Sequence, residues 1–202
     1  GGTDKISSLG WSVKPFHDWW SHPIFTLKGT SYFLAELMKT FWRGEYAWHL
    51  RTISTPWADA FFVASSFFLL ALVLARAWRS PGEDEKPSRV VWFFSATTLV
   101  LYVLFLAWLS IRFDFGNCWY PSRNHPWFTS ARLMLGGLIP FSMLYLSGWE
   151  MLLRPLQKSL HPLLVLMLIM VAITAGEVSM TWEIFKSPYN WFHLFDLPLP
   201  NT

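Results

Sequence analysis

Three basic side chains lie close together in the middle of the chain, in the segment NCWYPSRNHPWFTSARL (117–133). They are Arg123, His125 and Arg132. The planar guanidinium of arginine binds phosphate through paired hydrogen bonds, so these residues predict a site for a phosphate group. The segment also holds Cys118, the single cysteine, which excludes an internal disulfide and cannot by itself make a structural zinc site.

Long apolar runs lie on both sides of this segment. The chain has 202 residues, of which 53% are hydrophobic and 14% are charged, whereas a typical soluble domain has about 25% charged residues. Several runs reach the roughly 20 apolar residues that cross a bilayer: Trp57 to Ala75, Val90 to Ile111, Trp127 to Trp149 and Pro162 to Trp182. We therefore predict an all-α fold, a polytopic membrane helix bundle with about four transmembrane helices.

A shorter helix is predicted before the first span, over Ser31 to Trp42, where apolar residues recur at i, i+3 and i+4. It is too short to span, and its other face carries Glu36 and Lys39. We expect this interfacial helix at the membrane surface or packed on the bundle. The predicted domains are an exoplasmic aromatic-rich segment at 1–56, a four-span bundle at 57–184 and an exoplasmic tail at 185–202.

The distribution of lysine and arginine predicts the orientation. The joints at 76–89 and 154–162 share one side and carry six of these residues, compared with three in the middle joint and the tail, so the positive-inside rule makes the first two joints cytoplasmic. The N-terminal segment, the joint that holds Arg123 and the tail then meet on the exoplasmic face. The formal charge of +3 fits loop charge of this kind, and no nucleic-acid-binding signature accompanies it.

Two ionisable residues fall inside predicted spans, where a charge costs at least ~2.5 kcal/mol and usually faces a partner or a wet cavity. At a rise of ~1.5 Å per residue, Arg132 lies about 7 Å and Glu177 about 8 Å below the exoplasmic boundary. One interpretation is structural: an ion pair between the two, or Arg132 reaching up to the headgroups. The other is that Arg132, with Arg123 and His125 above it, receives the phosphate of a lipid-linked substrate, while Glu177 orients the arginine or binds a sugar hydroxyl.

Other polar residues receive simpler interpretations. Thr55 can cap the first span, and Asp59 in its first turn is interpreted as a charge that stabilises the helix end. Gly136 and Gly137 are assigned to close helix packing. No metal site is predicted, because the available residues lack a specific ligand spacing, and no cofactor is predicted. The residues considered for a metal are His17, Asp18, His22 and His49.

The stretch YPSRNHPWFTSARLMLGGLIPFSMLYLSGWEMLL (120–153) resembles the late transmembrane region of bacterial lipid-linked-sugar glycosyltransferases of the dolichyl-phosphate-mannose mannosyltransferase-like, or GT-C, type. In related membrane families an exoplasmic loop leads into a helix that opens with a Gly-Arg pair, and here the pair is Ala131-Arg132. The earlier FWRGEYAWHLRTISTPWADAFF (41–62) resembles an aromatic segment that precedes a span in the same proteins.

The resemblance implies the C-terminal membrane part of a glycosyltransferase that takes a sugar from a polyprenyl-phosphate donor on the exoplasmic face. Its partners would be membrane lipid, that donor and the upstream part of the same protein, and its location the bacterial inner membrane. Such enzymes carry their catalytic carboxylate in the first exoplasmic loop, and no matching motif stands here, so no catalytic residue is assigned. Two alternatives remain: a transporter or channel subunit with Arg132 and Glu177 in an ion pathway, and a non-catalytic membrane scaffold.

Overall fold

The computed structural model describes residues 10–45, 47–48, 51–52, 55–79, 86–116, 121–122, 124–155 and 162–186. Arg123, Cys118 and the tail beyond residue 186 lie outside the described residues, so the expectations for them stay predictions. Within this part of the chain nearly all regular structure is helical, and the only strands are two pairs of two-residue segments.

The apolar runs form long helices. Helix α2 spans Pro56–Trp78 and helix α3 spans Lys86–Arg112. A third helix spans Ala131–Leu153, and these three are long and apolar enough to cross a membrane. The last helix, α5 (Pro162–Lys186), contains a shorter apolar stretch at Met167–Ser179. The predicted helical membrane bundle is therefore confirmed, and the chain is an integral membrane protein.

The predicted interfacial helix is also present, as α1 (Leu27–Arg43). Its N-cap is Thr26, whose hydroxyl accepts a hydrogen bond from the Gly29 N–H at 3.0 Å. It ends at Gly44, which adopts a φ of 71° that most side chains disfavour. Phe33 and Leu37 on its apolar face are buried against the bundle, so α1 packs on the spans and not only on the lipid.

The third span begins later than predicted. Residues Trp127 to Ser130 are extended, and a 3-10 turn over Ala131–Gly137 leads into α4 (Leu138–Leu153). The extended stretch is fixed by side chains of other elements. The Ser110 hydroxyl of α3 accepts from the Phe128 N–H at 2.7 Å, and Thr40 of α1 donates to the Thr129 carbonyl at 2.6 Å. These hydrogen bonds take the place of helical ones. Arg132 is therefore the second residue of the span, whereas the predicted span placed it more than one helical turn from the start.

Helices α2 and α4 run in the same direction. Ser65 of α2 lies 3.2 Å from the Tyr145 hydroxyl of α4, and further along Leu69 packs on Gly148. A Cβ at Gly148 would come within 2.7 Å of the Leu69 Cβ, so this glycine permits close helix contact. Gly136 and Gly137 have the same role against α3, because added Cβ atoms would press on Tyr102.

The N-terminal segment and the joint after α3 meet at one end of the bundle. Strand β1 (Ser12–Val13) pairs antiparallel with β4 (Phe113–Asp114) directly after α3, and α1 lies beside the starts of α2 and α4. Strands β2 (Ala47–Trp48) and β3 (Arg51–Thr52) form a small hairpin between α1 and α2. We call residues 10–45, 113–116, 121–122 and 124–132 the aromatic end. The predicted meeting of the N-terminal segment and the middle joint is thus confirmed, whereas its exoplasmic assignment stays a prediction.

Candidate functional site

Arg132 is the most prominent cation of the aromatic end. Its Nη2 lies 2.8 Å from Oε2 of Glu45, just beyond the end of α1. The arginine side chain is 74% exposed, whereas that of Glu45 is only 16% exposed. Glu45 therefore holds one edge of the guanidinium, and the rest of its donors face outward.

The predicted ion pair between Arg132 and Glu177 is wrong. Glu177 lies on α5, which packs beside the start of α2, where Trp57, Phe61 and Gly176 line a shared apolar hollow. No ion pair to Glu177 exists among the described residues. The depth estimate placed both charges near one level, but depth alone says nothing about the direction in which a side chain leaves its helix. Glu45 supplies the carboxylate that the sequence analysis assigned to Glu177.

A second carboxylate contact joins α1 to α2. Nε of Arg43 lies 3.2 Å from Oδ1 of Asp59, and both side chains are 10% exposed. Asp59 does lie in the first turn of α2, as predicted, but its carboxylate also pairs with Arg43. Thr55 occupies the N-cap without the expected side-chain hydrogen bond. This buried pair fixes the end of α1, and with it Glu45, against the bundle.

The charges in this region balance. Lys39 lies 2.6 Å from Glu36 in the third ion pair of the group. We call the six residues of these pairs the charged cluster: Glu36, Lys39, Arg43, Glu45, Asp59 and Arg132. Of its cations, Arg132 is far the most exposed, so it is the one whose guanidinium an anion from solution or from the headgroup layer reaches first.

Two buried polar atoms of the cluster make no hydrogen bond to any described residue. One is Nε of Arg43, which still pairs with Asp59 at 3.2 Å, and the other is Oε1 of Glu45. A buried acceptor without a donor costs about 1–3 kcal/mol. Because the Glu45 oxygen is closed to solvent, a hydroxyl group beside Arg132 would reach it only if the Glu45 side chain turned outward. The arrangement thus offers an exposed guanidinium that can bind an anion, beside a carboxylate with one unpartnered oxygen.

His125 has a different environment from Arg132. Its Nδ1 lies 3.2 Å from the Trp127 carbonyl, which can only accept, so Nδ1 carries the proton. In the neutral ring Nε2 then accepts from the Tyr32 hydroxyl at 3.3 Å. Partial burial, and to a smaller extent the nearby Glu36 carboxylate, raise the pKa of Tyr32, so its hydroxyl keeps the proton it donates.

The structure does not bring His125 and Arg132 around one phosphate. His125 contacts α1 at Tyr32, whereas Arg132 contacts Glu45 beyond Arg43. Along α1, Tyr32 and Arg43 are about 16 Å apart at ~1.5 Å per residue. Of the three residues predicted to contact one phosphate, Arg132 is therefore the one that remains a candidate in the described part of the chain. Arg123 lies outside the described residues.

His22 joins two backbone segments through hydrogen bonds and is not a metal ligand in this arrangement. Its Nδ1 accepts from the Ile24 N–H at 3.1 Å, so the neutral ring donates from Nε2 to the Pro126 carbonyl at 3.0 Å. Burial, assisted by Lys14, lowers the pKa of His22 against the opposing effect of the Pro126 bond. Both ring nitrogens are thus bound to backbone, and the residue ties the N-terminal segment to the stretch that precedes Arg132.

Sequence reasoning found Arg132 but missed Glu45 and the Arg43–Asp59 pair. The available signal was the polar face of the predicted interfacial helix, which carries Glu36, Lys39 and Arg43 at helical spacing. Comparison of the chain with protein-family models, with curated proteins and with solved structures finds no match.

Proposed function

We propose that the chain is the C-terminal membrane part of a glycosyltransferase that binds a polyprenyl-phosphate-linked sugar donor at the exoplasmic face of the bacterial inner membrane. The resemblance of residues 120–153 and 41–62 to lipid-linked-sugar transferases suggested this class. The upstream part of the same protein would supply base catalysis, since no residue here is assigned that role.

The observation that carries the proposal is the pair of Arg132 and Glu45. The donor has a phosphate and, next to it, sugar hydroxyls. The exposed guanidinium fits the phosphate, and an outward turn of the Glu45 side chain would bring its unpartnered Oε1 to a hydroxyl. The location of Arg132, at the first turn of a membrane-spanning helix, supports contact with a phosphate that lies in the headgroup layer.

The two residues have separate roles in this proposal. Arg132 binds the phosphate and stabilises the charge that develops on it when an acceptor oxygen bonds to C1 of the sugar, the bond from C1 to the phosphate oxygen breaks and the polyprenyl phosphate leaves. Glu45 orients the guanidinium through Oε2 and accepts from the sugar through Oε1. His125 and Tyr32, at the other end of α1, do not contact the phosphate.

The test is donor binding to the complete protein in nanodiscs. We expect Arg132→Ala to weaken binding of a polyprenyl-phosphate hexose by about tenfold or more, because a hydrogen bond to a charged group contributes about 1.5–3 kcal/mol. Arg132→Lys keeps the charge but loses the fork, so it should recover only part of the affinity. The matched control is Arg154→Ala, an exposed arginine at the opposite end of the bundle. Unchanged donor binding in Arg132→Ala would exclude the proposed role.

A scaffold without catalysis is the second candidate, and one observation favours it: the described charges of the cluster pair with one another and balance. In a scaffold Arg132 serves only to hold Glu45. No contact among the described residues favours the transporter alternative, because Arg132 and Glu177 do not meet.

A further inference from the structure

Two hollows follow one another along one face of α2. The first, of about 540 Å³, is lined by Lys39 of α1 and by the start of α2, including Asp59, Ala60 and Ala64. The second, of about 260 Å³, lies further along and includes Phe67 and Leu74. Residues at these spacings of three and four share one helix face, so the two hollows lie one after the other along it, and together we call them the α2 groove.

The polarity of the groove changes along its length. Near the aromatic end it carries Lys39 and Asp59, whereas the lining beyond Phe67 is entirely apolar, with walls from α1, α3 and α4. From Asp59 to Leu70 the groove measures about 16 Å at ~1.5 Å per residue, which matches the ~15 Å of one leaflet of a bilayer core about 30 Å thick, and Leu74 lies beyond the middle. The groove therefore runs from a polar end at the boundary through the apolar depth of one leaflet.

The apolar part opens sideways between α2 and α3. Its rim residues Phe67, Val100 and Leu104 are exposed by 41%, 54% and 58%. The rim faces the hydrocarbon if α2 and α3 span the membrane. An apolar cavity excludes water and takes up apolar ligands, so a hydrocarbon chain fits this part of the groove.

The charges at the polar end indicate which lipid fits. Lys39 pairs with Glu36, and Asp59 pairs with Arg43, so these four charges sum to zero. A purely anionic headgroup gains little net attraction there. A zwitterionic headgroup matches both signs of the two charged residues that line the hollow, with its phosphate at Lys39 and its ammonium at the carboxylate of Asp59.

We propose that the α2 groove binds one zwitterionic phospholipid, with an acyl chain in the hollow between Phe67 and Leu74 and the headgroup at Lys39 and Asp59. This ligand differs from the sugar donor proposed above, and the inference stands on other residues than Arg132 and Glu45. A bound phospholipid would fill the space under α1 and hold that helix against α2 and α3.

The test uses the full chain in detergent micelles and native mass spectrometry to count retained lipid. Phosphatidylethanolamine, phosphatidylglycerol and a polyprenyl phosphate are offered at equal concentration. We expect one phosphatidylethanolamine per chain. Leu104→Trp, which fills the rim, should lower its retention about tenfold, equivalent to ~1.4 kcal/mol.

Matched controls come from neighbouring positions. Leu101→Trp introduces the same ring on α3 at a residue that is 61% exposed but does not line the groove, and it should retain the lipid. Lys39→Ala should lower retention, whereas Lys28→Ala, an exposed lysine of the same helix, should not. Circular dichroism and melting temperature verify that each variant folds.

Three results would overturn the proposal. The first is a wild-type chain that retains no phosphatidylethanolamine. The second is equal retention in the Leu104→Trp and Leu101→Trp variants. The third is preferential binding of phosphatidylglycerol or of the polyprenyl phosphate, which would assign the groove to an anionic lipid or to the chain of the donor.

Discussion

The two ends of helix α1 use their polar side chains in opposite ways. At the first end, His22, Tyr32 and His125 bind backbone carbonyls, a backbone N–H and each other. At the second end, Arg132 and Glu45 form an ion pair in which the guanidinium stays 74% exposed and one carboxylate oxygen has no hydrogen-bond partner. Groups of the first kind fasten segments together, whereas groups of the second kind are suited to bind a ligand. The first end therefore belongs to architecture and the second to the proposed site.

The largest expected effect concerns the pair that anchors the second end. Asp59→Ala leaves the guanidinium of Arg43 buried without its partner, and breaking a buried pair costs about 3–5 kcal/mol. We expect a lower free energy of unfolding in detergent, together with loss of the Arg132–Glu45 geometry. Glu36→Ala removes a more exposed carboxylate of the same cluster and should cost less than about 1 kcal/mol. Equal destabilisation by the two changes would contradict the assignment of Arg43 and Asp59 as the anchor.

A smaller effect is expected at the first end, where Gly29 lies against the carbonyl of Pro23. An added Cβ would overlap that carbonyl, and overpacking of this kind costs about 1–3 kcal/mol. Gly29→Ala should therefore lower the melting temperature and raise hydrogen exchange in residues 22–26. Gly176→Ala is the control, because a Cβ there meets no atom within 4 Å. Donor binding should survive Gly29→Ala, since Arg132 and Glu45 lie at the other end of α1.

The smallest effect is a pH dependence of the stability that His22 contributes through its two hydrogen bonds. The ring is neutral in the folded state, and burial keeps its pKa below the ordinary value of 6.5. Below about pH 6.5 the unfolded chain binds a proton that the folded ring resists. The contribution of His22 is thus fully present above pH 6.5 and is lost as the pH falls from there towards the lower folded-state pKa.

Hydrogen exchange of residues 10–26 measures this dependence. We expect protection to fall between pH 7.5 and 5.5. His22→Ala should lose about 1–2 kcal/mol of protection at pH 7.5, from its two hydrogen bonds, and its profile should be flatter. His17→Ala, at a highly exposed histidine beside Asp18, should keep the wild-type profile. An unchanged pH profile in His22→Ala would show that another group causes the dependence.

Much of the fold was predictable because apolar runs determine membrane helices. The bounds of α2 and α3 lie within a few residues of the predicted spans. The third span was misplaced because Trp127 and Phe128 continue the apolar pattern, while the bond from Phe128 to Ser110 that keeps them extended comes from another helix. Apolar composition carries no information about such a distant contact.

The site was only partly predictable for a similar reason. Arg132 stands out as a cation in an apolar run, and its position near the boundary follows from counting residues. Its partner depends on how α1 packs over α2, which brings Glu45 to the start of the third span. The phosphate site predicted around Arg132, Arg123 and His125 assumed that neighbours in sequence meet, whereas the extended stretch at 127–130 separates His125 from Arg132.

Exchange of the two charges of the proposed site tests the central claim most directly. The double variant Arg132→Glu with Glu45→Arg keeps an ion pair but moves the guanidinium from the exposed position to the buried one. Binding of a polyprenyl-phosphate hexose to the complete protein is measured beside the melting temperature. We predict a near-normal melting temperature with donor binding weakened by about tenfold or more. Wild-type donor binding in the exchanged protein would contradict the account and favour a scaffold in which the two charges only pair.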